Sequence, residues 1–427
     1  MIMPATAPAS APPRLEIADV LRAHGNTYRQ HHTLSSQQAK VMGRLTQCRT
    51  AALGGHVEHC PECDYQRISY NSCRDRHCPK CQAAQREKWI ETRLQRVLPV
   101  PHFHVVFTLP QELNPWVRAH PRVLYNLLFE AASATLLTLA SDPRRLGAQL
   151  GFTAVLHTWS QTLAFHPHLH CVVTAGGLSP DAQRWIATKQ NHLLPVKVMG
   201  KLFRGKFLHG LQQLYESGEL LAGDDHTHDV PGPTAFDTLR DRLYRKSWVV
   251  YAKPPFGGVE QVFRYLGRYS HRVAIANRRL LAMDAHHVRF RYKDYADAHR
   301  WKVMQLPAEE FIRRFLLHVL PHRFVRIRHY GLMAARHVDD RLARARSLLE
   351  TGTATPNPPE ASSSPPTQHE PPSSPAPAAQ EPKRCPHCQQ PLSRYELPPQ
   401  VGHARPRPAS NATRSKGFAR PSALDSS

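Results

Sequence analysis

Residues 165–177 read Phe-His-Pro-His-Leu-His-Cys-Val-Val-Thr-Ala-Gly-Gly, and no other stretch restricts the fold as much. An apolar, β-branched run closed by Gly-Gly is the pattern of a strand that ends in a turn. Residues two apart on a strand share a face. His168 and His170 therefore point the same way, about 7 Å apart along the strand, with Leu169 on the opposite face. Such a pair can grip one metal ion. His166 continues the row if the strand begins that early, although Pro167 favours a strand start or an edge. Taken alone, the pattern also suits an ordinary polar strand face, so its meaning depends on the rest of the chain.

The stretch from Tyr265 to Asn277 supplies that context. Tyr265 and Tyr269, four apart, share one face of a helix, about 6 Å apart along its axis. A phenol attacks phosphorus only when it or its leaving group is activated. A metal on His168 and His170 would polarise the scissile phosphate, and Arg264, Arg268 and Arg272 would hold its oxygens. The competing reading makes both tyrosines packing residues.

Charge points to the same chemistry. The 427 residues carry 56 Lys+Arg against 33 Asp+Glu, a formal net charge of +23 spread along the chain. Nucleic acid is the default partner for such a balance, and an anionic membrane surface is the competitor. No apolar run is expected to approach the roughly 20 residues of a bilayer span. The residues Met1 to Thr6 lack the pattern of a signal peptide. A cytoplasmic protein with no membrane partner is the expectation. In a reducing compartment its nine cysteines serve better as metal ligands than as disulfides.

Six of those cysteines fall within residues 48–81. Cys60-x2-Cys63 precedes Cys78-x2-Cys81 by fourteen residues, one short of the usual gap in a tetrahedral zinc site with four thiolates and no open position. A structural zinc on Cys60, Cys63, Cys78 and Cys81 is therefore expected. Cys48, Cys73 and His77 are candidates for a second ion or for alternative ligands. Cys385 and Cys388 form a lone knuckle in the tail, to which no role is assigned.

The organisation expected along the chain is a disordered segment 1–14, a helical and zinc-binding domain 15–98, a larger domain 99–345 and a Pro-rich, disordered, basic tail 346–427. Within the larger domain, strands are expected near 102–109, 151–157, 248–253 and 288–292, and helices over 115–141, 195–220 and 308–319. His104 lies in a second H-x-H and is expected to neighbour the site at most. The fold class is α+β.

The order of these pieces resembles the two-tyrosine HUH transposases of the bacterial insertion-sequence-ninety-one type. The resemblance is carried by Cys60 to Cys81, Phe103 to Pro110, His166-Pro167-His168-Leu169-His170-Cys171, Tyr265 to Asn277 and Val325 to Leu332, and spans roughly residues 15–345. It implies an HUH nuclease domain, a central antiparallel sheet with flanking helices, preceded by a small zinc-binding domain. It further implies Mg²⁺ or Mn²⁺ on His168 and His170, and attack by Tyr265 or Tyr269 on single-stranded DNA of element ends and target, leaving a 5′-phosphotyrosine. The third ligand stays open among His166, first by strand parity, Gln161 and Glu260. The alternatives are a plasmid-type replication initiator or relaxase with the same chemistry, and a non-catalytic zinc-dependent DNA-binding protein. The oligomeric state is not legible.

Overall fold

In the computed structural model, residues 15–81, 96–189, 192–220, 233–253, 274–351 and 383–400 are described. Helices α1 (Ile17–His31) and α2 (Ser36–Gln47) lead into strands β1 (Gly55–His59), β2 (Gln66–Tyr70) and β3 (His102–Thr108). Helices α3 (Asn114–Ala119) and α4 (Pro121–Ser141) precede β4 (Gln149–Trp159), β5 (Phe165–Leu178) and β6 (Trp185–Ala187). Then come α5 (Val196–Glu216), α6 (Pro233–Arg245), β7 (Val250–Lys253), β8 (Leu280–Met283), β9 (His287–Asp294) and β10 (Arg300–Pro307). Helix α7 (Ala308–Leu316), β11 (Ile327–Gly331), α8 (Val338–Glu350) and β12 (Ser393–Leu397) complete the order.

The chain divides into two compact units. One holds the described residues of 1–48 and 72–378, the other those of 49–71 and 379–427. The expected boundary near residue 98 is therefore not where the chain parts. In the larger unit the central sheet is antiparallel, ordered β11-β4-β5-β3-β7, with β6 added to β5. Its pleat sorts the side chains. Leu169, Cys171 and Val173 of β5, with Phe103, Val105 and Phe107 of β3 and Phe152, Ala154 and Leu156 of β4, join one core with α4 and α5. Helix α4 is long and apolar enough to cross a membrane by length and composition, which corrects the expectation that no such run exists. It serves as a core helix, with 67% of its most apolar window buried.

A second core gathers α1, α2, the sheet β10-β9-β8 and α7. Both N-terminal helices start on capping boxes, Glu16 with Asp19 and Ser35 with Gln38, which satisfy the first free amide groups. Ile17, Val20, Leu21, Val41, Met42 and Leu45 face Val288, Phe290, Phe311 and Phe315. These helices thus share a core with Cys48, Cys78 and Cys81 and with residues some 250 positions later, while residues 49–71 belong to the other unit. The smaller unit is a three-stranded antiparallel sheet, β12-β1-β2. Part of the expected tail, residues 383–400, is therefore ordered structure.

Gly331 ends β11 at φ +60, and an added Cβ would overlap the Leu150 carbonyl oxygen. A left-handed backbone disfavours any side chain, and here a strand backbone blocks it as well. Gly331→Ala is expected to lose about 2 kcal/mol or more of stability, read from the midpoint of chemical denaturation. An unchanged midpoint would contradict the described packing of β11 on β4.

Candidate functional site

The face of the central sheet opposite α4 and α5 carries histidines. The register lines up Ile327, Val155, His170, Val106 and Tyr251 across β11, β4, β5, β3 and β7. One step along β5, His168 stands opposite His157 of β4 and Thr108 of β3. The other neighbouring row runs His329, Thr153, Val172, His104 and Lys253. One ring nitrogen from each of His157, His168 and His170 lies within 4.8 Å of the others. The Nε2 atoms of His168 and His170 are 3.0 Å apart, about the separation of two ligands on one ion at metal–nitrogen distances near 2.1 Å.

The remaining nitrogens are held. His168 Nδ1 lies 2.6 Å from the His166 carbonyl oxygen. A carbonyl only accepts, so Nδ1 carries the proton and Nε2 keeps its lone pair for the ion. His170 Nδ1 lies 2.7 Å from His104 Nε2. A metal-ligating histidine commonly gives its other N–H to such a partner, which fixes tautomer and ring orientation. Burial depresses the basicity of both rings, His168 to about 4 and His170 well below the usual histidine range. His104 is likewise lowered to about 4 by burial and then by the Lys253 charge. Neutral imidazole is the form that binds metal.

The structure revises the expected ligand set. His166 continues the sequence row, but it is His157 that joins His168 and His170, and His166 contributes its carbonyl oxygen. Gln161 donates its side-chain amide to the Tyr295 hydroxyl at 3.1 Å. His104 stands closer than expected. Its ring centroid is 5.0 Å from that of His170, against 5.2 Å between His166 and His168. It positions a ligand and is outside the group that could hold the ion. His157 stacks on Trp159 with centroids 4.5 Å apart. A register shift between His157 and Trp159 marks a bulge beside the site, where bulges commonly re-aim side chains. Tyr265, Tyr269, Arg264, Arg268, Arg272 and Glu260 lie outside the described residues.

The cysteines also regroup. Cys48, Cys73, Cys78 and Cys81 converge in the larger unit, with Sγ–Sγ distances of 3.6 Å for the Cys48–Cys81, Cys73–Cys81 and Cys48–Cys78 pairs. Cys60 and Cys63 belong to the smaller unit and converge with Cys385 and Cys388. The expected set Cys60, Cys63, Cys78 and Cys81 is thus split between two units. The spacing rule pairs neighbouring knuckles, whereas the chain pairs each with ligands from another segment. Cys48 and Cys73, expected for a second ion or as alternative ligands, enter the first group. His77 does not, because its Nδ1 bonds Asp75 at 3.0 Å and its Nε2 accepts from the Leu320 amide at 3.2 Å.

With this geometry in place, comparison with known proteins is decisive. A family profile described as "Transposase zinc-binding domain", of the insertion-sequence-ninety-one type, matches residues 20–109, and one described as "Putative transposase" matches residues 151–341. A Sinorhizobium fredii protein named "Putative transposase y4qJ" is 50% identical over 346 residues, covering 81% of this chain and 86% of the relative. The "Transposase for insertion sequence element IS801" of Pseudomonas savastanoi pv. phaseolicola is 26% identical over 345 residues, covering 75% and 76%. No solved structure matches. The chain belongs to the insertion-sequence-ninety-one family of transposases.

As a member of that family, the transposase is a DNA-binding recombination enzyme with a zinc-binding domain, and its cysteine groups suit zinc. The histidine centre lies within the residues matched by the transposase profile, except for His104, which falls in the zinc-binding match. Sequence reasoning missed His157 because its partner relation is a cross-strand one. The one available signal was a histidine near the end of the strand read over 151–157. For the transposase, His157→Ala is expected to weaken Mn²⁺ binding at the histidine centre by well over 10-fold, whereas His166→Ala changes it little. His104→Ala should weaken it about 10- to 100-fold, as loss of an orienting partner does. Calorimetric titration of each variant checks the order, and a larger loss at His166 than at His157 would restore the original ligand set.

Proposed function

We propose that the transposase nicks and transfers single-stranded DNA through phosphotyrosine links, with Tyr265 and Tyr269 as nucleophiles, in rolling-circle transposition. The observation that carries this reading is the convergence of His157, His168 and His170 on one sheet face, with His104 and the His166 carbonyl fixing two of the rings. A divalent cation there would supply Lewis-acid polarisation of a phosphate oxygen. Three neutral imidazoles match Mg²⁺ poorly, since Mg²⁺ favours oxygen ligands, and suit a softer ion such as Mn²⁺ better.

The bond changes are conservative. The phenolic oxygen of one tyrosine bonds to phosphorus, the bond from phosphorus to the 3′-oxygen breaks, and that oxygen takes up a proton. The product is a 5′-phosphotyrosine and a free 3′-hydroxyl. The phosphodiester energy is kept in the link, so rejoining needs neither water nor a high-energy cofactor. Two tyrosines let one centre hold two DNA ends. Arg264, Arg268 and Arg272 supply charge-assisted bonds to phosphate oxygens, and the excess of 56 Lys+Arg over 33 Asp+Glu draws in the strand. The partners in this reading are single-stranded element ends and target DNA, met in the bacterial cytoplasm.

Incubation with labelled single-stranded element ends and Mn²⁺ should yield a covalent protein–DNA adduct on denaturing gels. Tyr265→Phe together with Tyr269→Phe should abolish the adduct while DNA binding stays near normal, and each single change should impair complete transposition. An adduct that persists in the double variant removes both tyrosines from the role and turns attention to Tyr244, which is exposed, or to Tyr251. Tyr251 is 49% exposed in the same cross-strand row as His170. Binding without any adduct in the unaltered protein would favour a non-catalytic DNA-binding role.

A further inference from the structure

The two cysteine groups differ in how the family profiles treat them. Cys48, Cys73, Cys78 and Cys81 all fall within residues 20–109. The other group draws Cys385 and Cys388 from beyond residue 341, where neither profile reaches. We infer that Cys60, Cys63, Cys385 and Cys388 form a second structural zinc site, a ribbon whose two knuckles come from opposite ends of the sequence.

The sulfur geometry is the first argument. Cys60 Sγ lies 3.4 Å from Cys388 Sγ, and Cys63 Sγ lies 3.6 Å from both Cys385 and Cys388. A disulfide needs about 2.05 Å. Four thiolates placed tetrahedrally about one zinc at about 2.3 Å stand roughly 3.8 Å apart. The observed spacing is that of ligands around one ion.

The second argument is that the two knuckles repeat one backbone design. The Asp64 amide donates to the Cys60 carbonyl at 3.0 Å, and the Gln389 amide to the Cys385 carbonyl at 3.0 Å. One residue further on, the Tyr65 carbonyl accepts from the Cys60 amide at 2.9 Å, and the Gln390 carbonyl from the Cys385 amide at 2.7 Å. Asp64 and Gln389, each just after its second cysteine, take left-handed φ values of 56 and 62. In the C-terminal knuckle the His387 amide also donates to Cys385 Sγ at 3.4 Å. Left-handed backbone at a non-glycine residue is uncommon. Its recurrence at matching positions of two C-x2-C turns marks both as metal-binding knuckles.

The protein around the sulfurs is arranged for the same closure. β12 adds to β1 in register, from Gly55 opposite Leu397 to His59 opposite Ser393. Tyr65 and His387, one from each knuckle, bring their rings to 4.9 Å. Lys383 binds the buried Glu58 carboxylate at 2.7 Å and holds its carboxyl below the usual range. A three-stranded sheet this small has little core of its own, and units of this size rely on a metal for stability. The ribbon is completed only when residues 385–388 are present, so a chain that stops earlier retains the Cys48 group and lacks this one.

The test counts zinc in the full-length protein. About two zinc ions per chain are expected in the unaltered protein and about one after Cys385→Ser with Cys388→Ser. A second measurement does not depend on how the variant folds. A protease site is placed within residues 352–378 of the otherwise unaltered chain. After cleavage the C-terminal fragment should co-elute with the remainder in gel filtration and separate once a chelator removes zinc. About one zinc in the unaltered protein, an unchanged count in the double variant, or a fragment that separates with zinc present or stays bound without it would each overturn the site.

Discussion

The candidate catalytic centre depends on the pleat of β5. Leu169, Cys171 and Val173 are drawn into the core shared with α4 and α5, and that burial fixes which way their neighbours face. His168 and His170 are thereby turned to the opposite side of the strand. A slip of one residue would move every apolar side chain out of the core and both imidazoles into it. Fully burying one such apolar side chain is worth about 1.5–3 kcal/mol, so several together hold the register firmly. The hydrophobic face of the sheet is thus what aims the two imidazoles. The same register sets His157 opposite His168 and places His104 diagonally from His170.

Aim alone does not make a ligand; protonation state and tautomer decide the rest. Burial keeps His168 and His170 neutral at physiological pH. The chain of contacts from the His166 carbonyl through His168 and His170 to His104 then constrains where protons sit. His168 must donate through Nδ1. If Nε2 of His170 also faced an ion, Nδ1 of His170 would carry its proton and His104 would accept. Lys253 opposes protonation of His104 and so favours that accepting role. Each imidazole is held by a group that would lose its partner if the ring turned.

How far the sequence reveals this arrangement depends on the range of the interaction. Strand parity is local, so the H-x-H pair on one face of β5 and the opposite fate of Leu169 are readable from residues 165–177. The apolar runs of β3 and α4 are readable for the same reason. His157 is not, because its place depends on strand register and on a bulge between His157 and Trp159. Parity along one strand offered His166 instead, and parity carries no information about the neighbouring strand. The cysteines fail in the same way. The count of residues between knuckles is a local rule, and it joined Cys63 to Cys78. The contacts that decide the grouping are the packing of α1 and α2 with β8–β10 and the addition of β12 to β1, both long-range.

That contrast explains why the two cysteine groups place different demands on the chain. Cys48, Cys78 and Cys81 are buried in a core that includes Ile17, Val288 and Phe311, so apolar packing already brings their backbones together. An ion there would add to an existing core. In the smaller unit Ile68, Tyr70 and Tyr395 stay 55%, 39% and 58% exposed. Little apolar area is removed from water to offset the ordering of residues 49–71 and 383–400. That ordering costs backbone entropy and needs a strong local source of free energy. A tetrathiolate zinc site would supply a strong local contribution of that kind. The exposed faces of that sheet are therefore consistent with a fold held from the metal outward, whereas the larger unit is held from its cores.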